Sequence, residues 1–261
     1  MKPIILFRKN QYNKEEFLIA QKYFDVTESR IGLENRLVIP RYSSLPFHNE
    51  LERDLVLQNS KLINSTYEHS YVSNFDYYFD LESYTPKTYF RLEDVSSSGP
   101  WVCKGKTNSL KSQFKAKMFA ENRNDLINKY NDLLNDAFVG EQGIIIRDFV
   151  PLESFGKSLS GIDYANEWRF FFYKNQLLSY GYYWSNAEII PKNEDLDPKA
   201  KDLAQEIASI VSERVNFFVV DLAKTNDGKW ILIELNDGTM SGLSENDPEI
   251  LYSNLRKCFN P

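Results

Sequence analysis

Histidine and cysteine are scarce in this chain of 261 residues, which carries two of each. Cys103 and Cys258 form no Cys-x-x-Cys pair, which excludes a disulfide scaffold and a thiolate zinc site and indicates a reducing compartment. Because His48 and His69 are the only histidines, we expect no histidine-rich metal centre and no Ser-His or Cys-His catalytic device.

Long apolar runs and positive charge are also lacking. No run approaches the ~18–20 apolar residues that span a bilayer, and the apolar run Ile4–Phe7 is shorter than a signal-peptide core of roughly 7–15 residues. We therefore expect a cytoplasmic protein without a membrane partner. The net charge of -6 argues against a nucleic-acid partner. Aromatic residues, at 15%, predict an aromatic-rich core.

The order of elements predicts an α/β (α+β) fold in two parts. Residues 1–85 are typical of a small α/β N-terminal lobe, and residues 86–261 of a larger second part, with Pro86 at the connection. Apolar periodicity and caps predict helices over 13–24, 67–80, 124–137 and 197–214, and strands over 101–104, 143–150, 167–173 and 177–184.

The segment 217–242, with sequence FFVVDLAKTNDGKWILIELNDGTMSG, predicts a hairpin in which polar side chains occupy positions suited to apolar ones. A two-residue loop at Asp227-Gly228 would place Asp221 directly opposite Glu234. Period-two alternation would place Trp230, Leu232, Glu234 and Asn236 on one face. Facing carboxylates repel each other unless a cation lies between them. Asp221, Glu234 and Asn236 therefore indicate a divalent metal site, the alternative being a solvated sheet surface.

Basic residues form a second set. Lys104 and Lys106 share a strand face, and Lys111 lies in the polar loop that follows. Arg147 ends an apolar strand, and Glu167 and Arg169 share one face of another. Each feature alone is equally compatible with solvated lysines or structural ion pairs. Together with the oxygen cluster, they indicate a site for a nucleoside triphosphate and magnesium.

Several short segments resemble the ATP-grasp superfamily, specifically the clade named for two arginines and one lysine. They are Tyr42-Ser-Ser-Leu-Pro-Phe, Leu62-Ile-Asn-Ser, Thr85-Pro-Lys-Thr, Trp101-Val-Cys-Lys-Gly-Lys-Thr-Asn-Ser, Ile146-Arg-Asp-Phe, Glu167-Trp-Arg-Phe-Phe and Glu234-Leu-Asn-Asp-Gly. A more distant similarity is to the eukaryotic cell-division-cycle ATP-grasp proteins that assist assembly of a translation initiation factor. The resemblance implies an ATP-grasp fold, with two α+β lobes that grip the nucleotide.

The resemblance also implies roles for individual residues. Lys104, Lys106 and Lys111 would contact the phosphates of ATP, and the backbone of Asp148, Phe149 and Val150 would pair with adenine. Arg147 and Arg169 would be the clade's arginines and act on phosphate or acyl substrate. Glu167 would orient a basic residue or contact the nucleotide, and Asp221, Glu234 and Asn236 would hold Mg²⁺.

These roles imply an ATP-dependent carboxylate–amine ligase that acts through an acyl phosphate. Two alternatives stay open. One is an ATP-binding assembly factor, or a module that binds a protein or peptide partner without ligase turnover. The other is a small-molecule kinase, which needs the same phosphate-binding residues. The sequence does not identify the carboxylate or the amine.

Overall fold

The computed structural model describes residues 1–107, 109–110, 113–137, 139–157 and 163–259. The chain begins with a parallel four-stranded sheet of order β2-β1-β3-β4. Its elements are β1 (Lys2–Leu6), α1 (Lys14–Tyr23), β2 (Asp25–Thr27), β3 (Arg36–Pro40), α2 (His48–Val56) and β4 (Lys61–Leu62). Helix α1 begins where predicted, because the Asn13 side chain accepts hydrogen bonds from the amides of Glu15 and Glu16.

A second four-stranded sheet, of order β5-β8-β6-β7, follows two short helices. The elements in chain order are α3 (Thr66–Ser73), α4 (Tyr78–Leu81), β5 (Thr88–Tyr89), β6 (Trp101–Gly105), β7 (Phe119–Ala120), α5 (Arg123–Leu134) and β8 (Ile144–Asp148). One face of this sheet packs on α5 through Trp101, Cys103, Ile144 and Ile146. The other face carries Lys104 and Arg147, since Lys104 pairs with Ile145 and Arg147 with Val102.

The third sheet is antiparallel, with order β12-β11-β13-β14. The remaining elements are β9 (Ser154–Lys157), β10 (Asp163–Ala165), β11 (Glu167–Tyr173), β12 (Gln176–Tyr182), α6 (Pro198–Val211), β13 (Phe217–Lys224), β14 (Trp230–Asp237) and α7 (Pro248–Phe259). Helix α7 was not predicted from the sequence; it packs beside α1 and joins the first sheet to this one through Leu251, Tyr252 and Leu255.

The third sheet buries both faces. Trp168, Phe170 and Phe172 of β11 pack toward α6, and the same core includes Val72, Phe75, Tyr77, Tyr78 and Leu81 from the α3–α4 region. On the opposite face, Phe171, Phe217 and Val219 pack with residues of β1, β3 and α7. The aromatic-rich core predicted from composition is thus largely the core of this sheet.

The hairpin of β13 and β14 differs from the predicted one in its turn. Thr225 donates its amide to the Lys229 carbonyl at 2.8 Å, so the loop has three residues, Asn226 to Gly228. Pairing would then slip by one residue, but a β-bulge between Asp221 and Leu222 restores the register. Asp221 therefore faces Glu234, as predicted, although the two-residue loop that suggested it is wrong.

The bulge also reverses the faces along β14. Leu232 pairs with Leu222, whereas Glu234 pairs with Asp221. Leu232 and Trp230 consequently pack with the core under α6. Of the four β14 residues predicted to share one face, only Glu234 and Asn236 lie on the face of Asp221. The prediction that Trp230, Leu232, Glu234 and Asn236 share one face is wrong because it assumed an unbroken strand.

The fold is the mixed α+β architecture that was predicted, with several sheets. Among the residues that the structure describes, no helix has the length and apolarity to cross a membrane.

Candidate active site

The polar face of β6 and β8 lies against the edge of the β13–β14 hairpin. Lys104 forms a buried ion pair with Glu234, which joins the second sheet to the third. Arg147 donates from Nη1 to the Ile233 carbonyl at 2.6 Å. Ile233 is the extra residue of the bulge, so the irregularity that resets the register also supplies an acceptor to Arg147.

Arg169 and Asp221 lie opposite each other on β11 and β13. Two parallel hydrogen bonds join them, Nε to Oδ1 at 2.9 Å and Nη2 to Oδ2 at 2.8 Å. Asp221 is fully buried. Burial lowers the pKa of Arg169, but the Asp221 carboxylate more than offsets this effect, and the net pKa is raised.

Asn236 links the two carboxylates. Its Nδ2 donates to Asp221 Oδ2 at 3.1 Å and lies 3.4 Å from Glu234 Oε2. Lys104, Glu234, Asn236, Asp221 and Arg169 therefore form one continuous cluster, which contains every predicted metal ligand and one basic residue from each of two sheets. The structure brings these five predicted site residues together.

The cluster carries its own counter-charges. Asp221 is neutralised by Arg169, and Glu234 by Lys104. We expected from the sequence that the facing carboxylates would need a metal ion between them to be tolerated. In this structure two side chains of the protein supply positive charge to the carboxylates, and the metal site stays a prediction.

The donor set fits a magnesium ion. Magnesium prefers hard oxygen ligands, and Asp221, Glu234 and Asn236 offer two carboxylates and one amide oxygen. Asp221 Oδ2 and Glu234 Oε2 lie within 3.4 Å of one atom, Asn236 Nδ2, so both oxygens border the same small volume. A bound ion would require the Asn236 amide to turn its oxygen inward and Lys104 to move from Glu234 toward a ligand.

Arg147 is held in place by several contacts within the protein. Beyond Ile233, its Nη2 donates to the Thr85 hydroxyl, and its guanidinium lies 5.7 Å from the Phe75 ring centroid. Its Nε has no hydrogen-bond partner among the described residues. Burial lowers the pKa of Arg147, against the opposing effects of Tyr77 and Glu234. The guanidinium thus joins three segments beside Glu234.

Residues 148–150 leave β8 half-buried, at the edge of the same face. The amides of Asp148 and Phe149 donate to the carbonyls of Lys87 and Pro100 at 2.9 and 3.0 Å. The Asp148 side chain accepts from the Ser97 hydroxyl at 2.6 Å. Adenine pairing by this segment would use its carbonyls or the Val150 amide.

The remaining predicted residues have different outcomes. Glu167 is buried at the start of β11. Its charge helps to raise the pKa of Arg169, although less than Asp221 does and against the opposing effect of burial. Lys106 follows β6, and its amide donates to the Gly143 carbonyl at 3.1 Å. Lys111 lies outside the described residues.

A polar cleft of about 390 Å³ opens beside the cluster, between the N-terminal lobe and residues 239–244. Arg169 reaches its rim by donating from Nη1 to the Gly242 carbonyl at 2.8 Å. Arg41, which directly follows β3, borders the cleft; it pairs with Glu16 at 2.7 Å and donates to the Ser241 carbonyl at 2.9 Å. The sequence analysis missed this cleft; the polar run after Asp237 and the arginine at the end of β3 were its only signals.

Comparison with known proteins identifies the class. The chain shares its fold with the ATP-grasp ligase PsnB, solved with a minimal precursor, Mg and ADP, at 10% identity and a TM-score of 0.60, with 99% of this chain and 98% of that chain covered. D-alanyl-alanine synthetase A from Vibrio cholerae is 14% identical, with a TM-score of 0.58 and coverage of 99% and 97%. A RimK-domain ATP-grasp protein from Sphaerobacter thermophilus is 12% identical, with a TM-score of 0.57 and coverage of 96% and 98%.

At these identities the solved structures establish the ATP-grasp fold alone. The family model of the ATP-grasp domain, R2K clade family 3, matches residues 96–255, more than half of the chain. The chain therefore belongs to this family of ATP-grasp proteins, which confirms the resemblance stated above. No curated protein sequence matches the chain.

Proposed function

We propose that this protein is a magnesium- and ATP-dependent ligase that joins a carboxylate to an amine through an acyl phosphate. The observation that carries the proposal is the five-residue cluster of Lys104, Arg169, Asp221, Glu234 and Asn236, in which cations and oxygen ligands meet between two sheets. This combination suits a triphosphate and its metal ion.

The side chains of the cluster have separate roles in this proposal. Lys104 moves from Glu234 to the phosphate oxygens, and Glu234, Asp221 and Asn236 hold the metal ion. When bound, Mg²⁺ neutralises charge on the phosphates during transfer. Arg169, fixed by two hydrogen bonds, stabilises the acyl phosphate or the oxyanion formed when the amine attacks.

Arg147 remains a second basic group beside Glu234, and Asp148 to Val150 remain the proposed adenine segment. Lys106, Lys111 and Glu167 keep their proposed contacts with the nucleotide or with basic residues. The ligase reaction requires no protein nucleophile, because the substrate carboxylate itself attacks the γ-phosphate and releases ADP. The amine then displaces phosphate.

The polar cleft supports a ligase that acts on small molecules or peptides. It adjoins Arg169 at Gly242, so a substrate held there would lie beside one of the basic residues of the cluster. Among the structural relatives, one ligase was solved with a minimal precursor and another is a D-alanyl-alanine synthetase, which supports a peptide or amino-acid substrate.

The test is release of ADP and phosphate from ATP when a panel of carboxylates and amines is supplied. We expect turnover to need both substrates, and Asp221→Ala and Glu234→Ala to lower it by a factor of about 100 or more, because each removes a metal ligand. Glu206→Ala is the control, since Glu206 lies on α6 and its side chain accepts a hydrogen bond from the Tyr84 hydroxyl, away from the cluster.

The products separate the proposal from its alternatives. A phosphorylated substrate without condensation would identify a kinase, and ATP binding without substrate-dependent turnover would favour an assembly factor. Unchanged turnover in both Asp221→Ala and Glu234→Ala would contradict the assigned site.

A further inference from the structure

The chain's only two histidines lie together in the interior, beside Asp237. The His48 and His69 rings are stacked, with centroids 4.2 Å apart and planes 7° from parallel. His69 Nδ1 lies 3.0 Å from Asp237 Oδ2, and all three residues are buried. The sequence analysis assigned no role to these residues. His69 and Asp237 are 168 positions apart in sequence.

Asp237 organises the turn that follows β14. Its Oδ1 accepts hydrogen bonds from the Thr239 amide at 2.8 Å, the Thr239 hydroxyl at 2.6 Å and Asn64 Nδ2 at 3.0 Å. Its carbonyl accepts from the Met240 amide and the Ser241 hydroxyl. Asp237 therefore fixes the chain between Asn236, a proposed metal ligand, and residues 239–244, which line the polar cleft.

The contact with Asp237 defines the protonation pattern of His69. A carboxylate only accepts, so Nδ1 carries a proton and donates it to Asp237 Oδ2. His69 Nε2 is buried without a hydrogen-bond partner among the described residues. The three side chains lie close enough to hold a metal ion, but imidazole lone pairs lie in the ring plane. Two nearly parallel rings stacked face to face do not converge on one ion.

We propose that His69 is a positioning residue, which through Asp237 holds Asn236 and the 239–244 segment in the geometry needed for metal-dependent nucleotide binding. This inference rests on the proposed function for its effect on binding. His69 occupies the one oxygen of Asp237 that the turn itself leaves available, and α3 thereby connects the N-terminal part of the chain to the cluster.

Three variants test the proposal. His69→Leu removes the donor to Asp237 while keeping much of the volume. His69→Asn keeps a donor near the position of Nδ1 and serves as the conservative rescue. His48→Leu is the matched control, because it removes an equally buried ring from the same stack but leaves the His69–Asp237 hydrogen bond in place.

The first readout is calorimetric binding of ADP with and without Mg²⁺. For His69→Leu we expect the Mg²⁺-dependent affinity to fall roughly tenfold, the lower end of the effect of losing an outer-shell partner. The affinity without Mg²⁺ should stay unchanged. His69→Asn should recover most of the loss, and His48→Leu should resemble the wild type. Equal Mg²⁺ dependence in His69→Leu and wild type would overturn the proposal.

The second readout does not depend on nucleotide binding. Amide hydrogen exchange at Thr239 and Met240 should become about tenfold faster in His69→Leu, as expected when a hydrogen bond to a charged group is lost. Amides of α6 should keep their protection, and His48→Leu should leave Thr239 and Met240 protected. Unchanged exchange at both amides in His69→Leu would contradict the positioning role.

The two readouts separate failure of this inference from failure of the proposed function. A wild-type protein that binds no Mg²⁺–ADP would contradict the proposed function, whereas the exchange experiment would still judge the His69–Asp237 contact. Nitrogen chemical shifts add a direct check, since only two histidines contribute signals. A proton on Nδ1 supports the contact, and a ring protonated on Nε2 alone overturns it.

Discussion

One face of β14, the cleft face, carries Glu234 and Asn236. On this face Glu234 is held by Lys104, and the facing Asp221 of β13 is held by Arg169. On the opposite face of the same strand, Asp237 is held by His69, Asn64 and Thr239. All three carboxylates are buried. Glu234 and Asp221 are balanced mainly by the charges of two long side chains. Asp237, in contrast, is surrounded by several shorter donors from neighbouring segments.

The difference indicates what each set can do. A lysine on a flexible stem can leave a carboxylate when a metal ion and phosphates arrive, because the new ligands replace the lost charge. A carboxylate that is bonded by four donors cannot accept an ion without breaking several hydrogen bonds. The cleft face is therefore suited to exchange of partners, and the Asp237 face to fixing the chain.

Loss of a cation on the cleft face should have the largest effect on stability. In Arg169→Met, Asp221 stays fully buried without its two charged hydrogen bonds. We expect the free energy of unfolding to fall by about 3–5 kcal/mol. Urea unfolding in the presence of a chelator measures it, and added Mg²⁺ should stabilise the variant more than the wild type, since the ion replaces the missing charge.

Thr239→Val is the comparison on the other face. It removes one hydroxyl donor from Asp237 and leaves the contacts with His69, Asn64 and the Thr239 amide. We expect a loss of about 1 kcal/mol, without recovery on addition of Mg²⁺. Equal losses in the two variants would show that the two faces do not differ in the way described.

The histidine pair gives the Asp237 face a dependence on pH. Burial, and then His69, lower the pKa of His48 from 6.5 to about 4, against the opposing charges of Asp237 and Glu52. The unfolded chain therefore binds a proton at His48 that the folded protein excludes. Stability from this source is complete above about pH 6.5 and declines as the pH falls toward 4. We expect a loss on the order of 2 kcal/mol between pH 7 and pH 5.

His48→Gln isolates this contribution, because glutamine does not titrate. Urea unfolding at pH 7 and pH 5 should show a smaller decline in the variant than in the wild type. Parallel declines in the two proteins would mean that His48 does not stay neutral in the folded state. The measurement should be made without nucleotide, so that binding does not contribute to stability.

Much of the cleft face could be predicted from the sequence, because its residues lie on strands with clear alternation. Asp221, Glu234 and Asn236 were placed together by a hairpin argument, and Lys104 and Arg169 by their positions on other strands. Asp221 does face Glu234, although the turn assumed for that pairing is incorrect. The bulge at Ile233 compensates, and its carbonyl bonds to Arg147 from a different sheet, a contact that no local pattern contains.

The Asp237 face could not be predicted in this way. His69 and Asp237 lie on a helix and at a strand end that pair only in the folded chain, and neither position has an unusual local pattern. The same holds for Arg41, whose partners Glu16 and Ser241 come from α1 and the segment after β14. Local periodicity indicates which face a residue occupies but not which distant segment meets it.

The last expected effect concerns the hairpin turn and tests whether the bulge alone sets the register. Gly228 has φ of +86°, and a Cβ there would meet nothing within 4 Å. Gly228→Ala should cost about 1 kcal/mol through the left-handed backbone, and Gly228→Asn less, because asparagine tolerates that conformation. Since the bulge lies between this turn and Asp221, Mg²⁺-dependent ADP binding should be equal in both variants and the wild type. Weaker binding in Gly228→Ala would mean that the turn contributes to the Asp221–Glu234 register and that the bulge does not isolate the cluster from it.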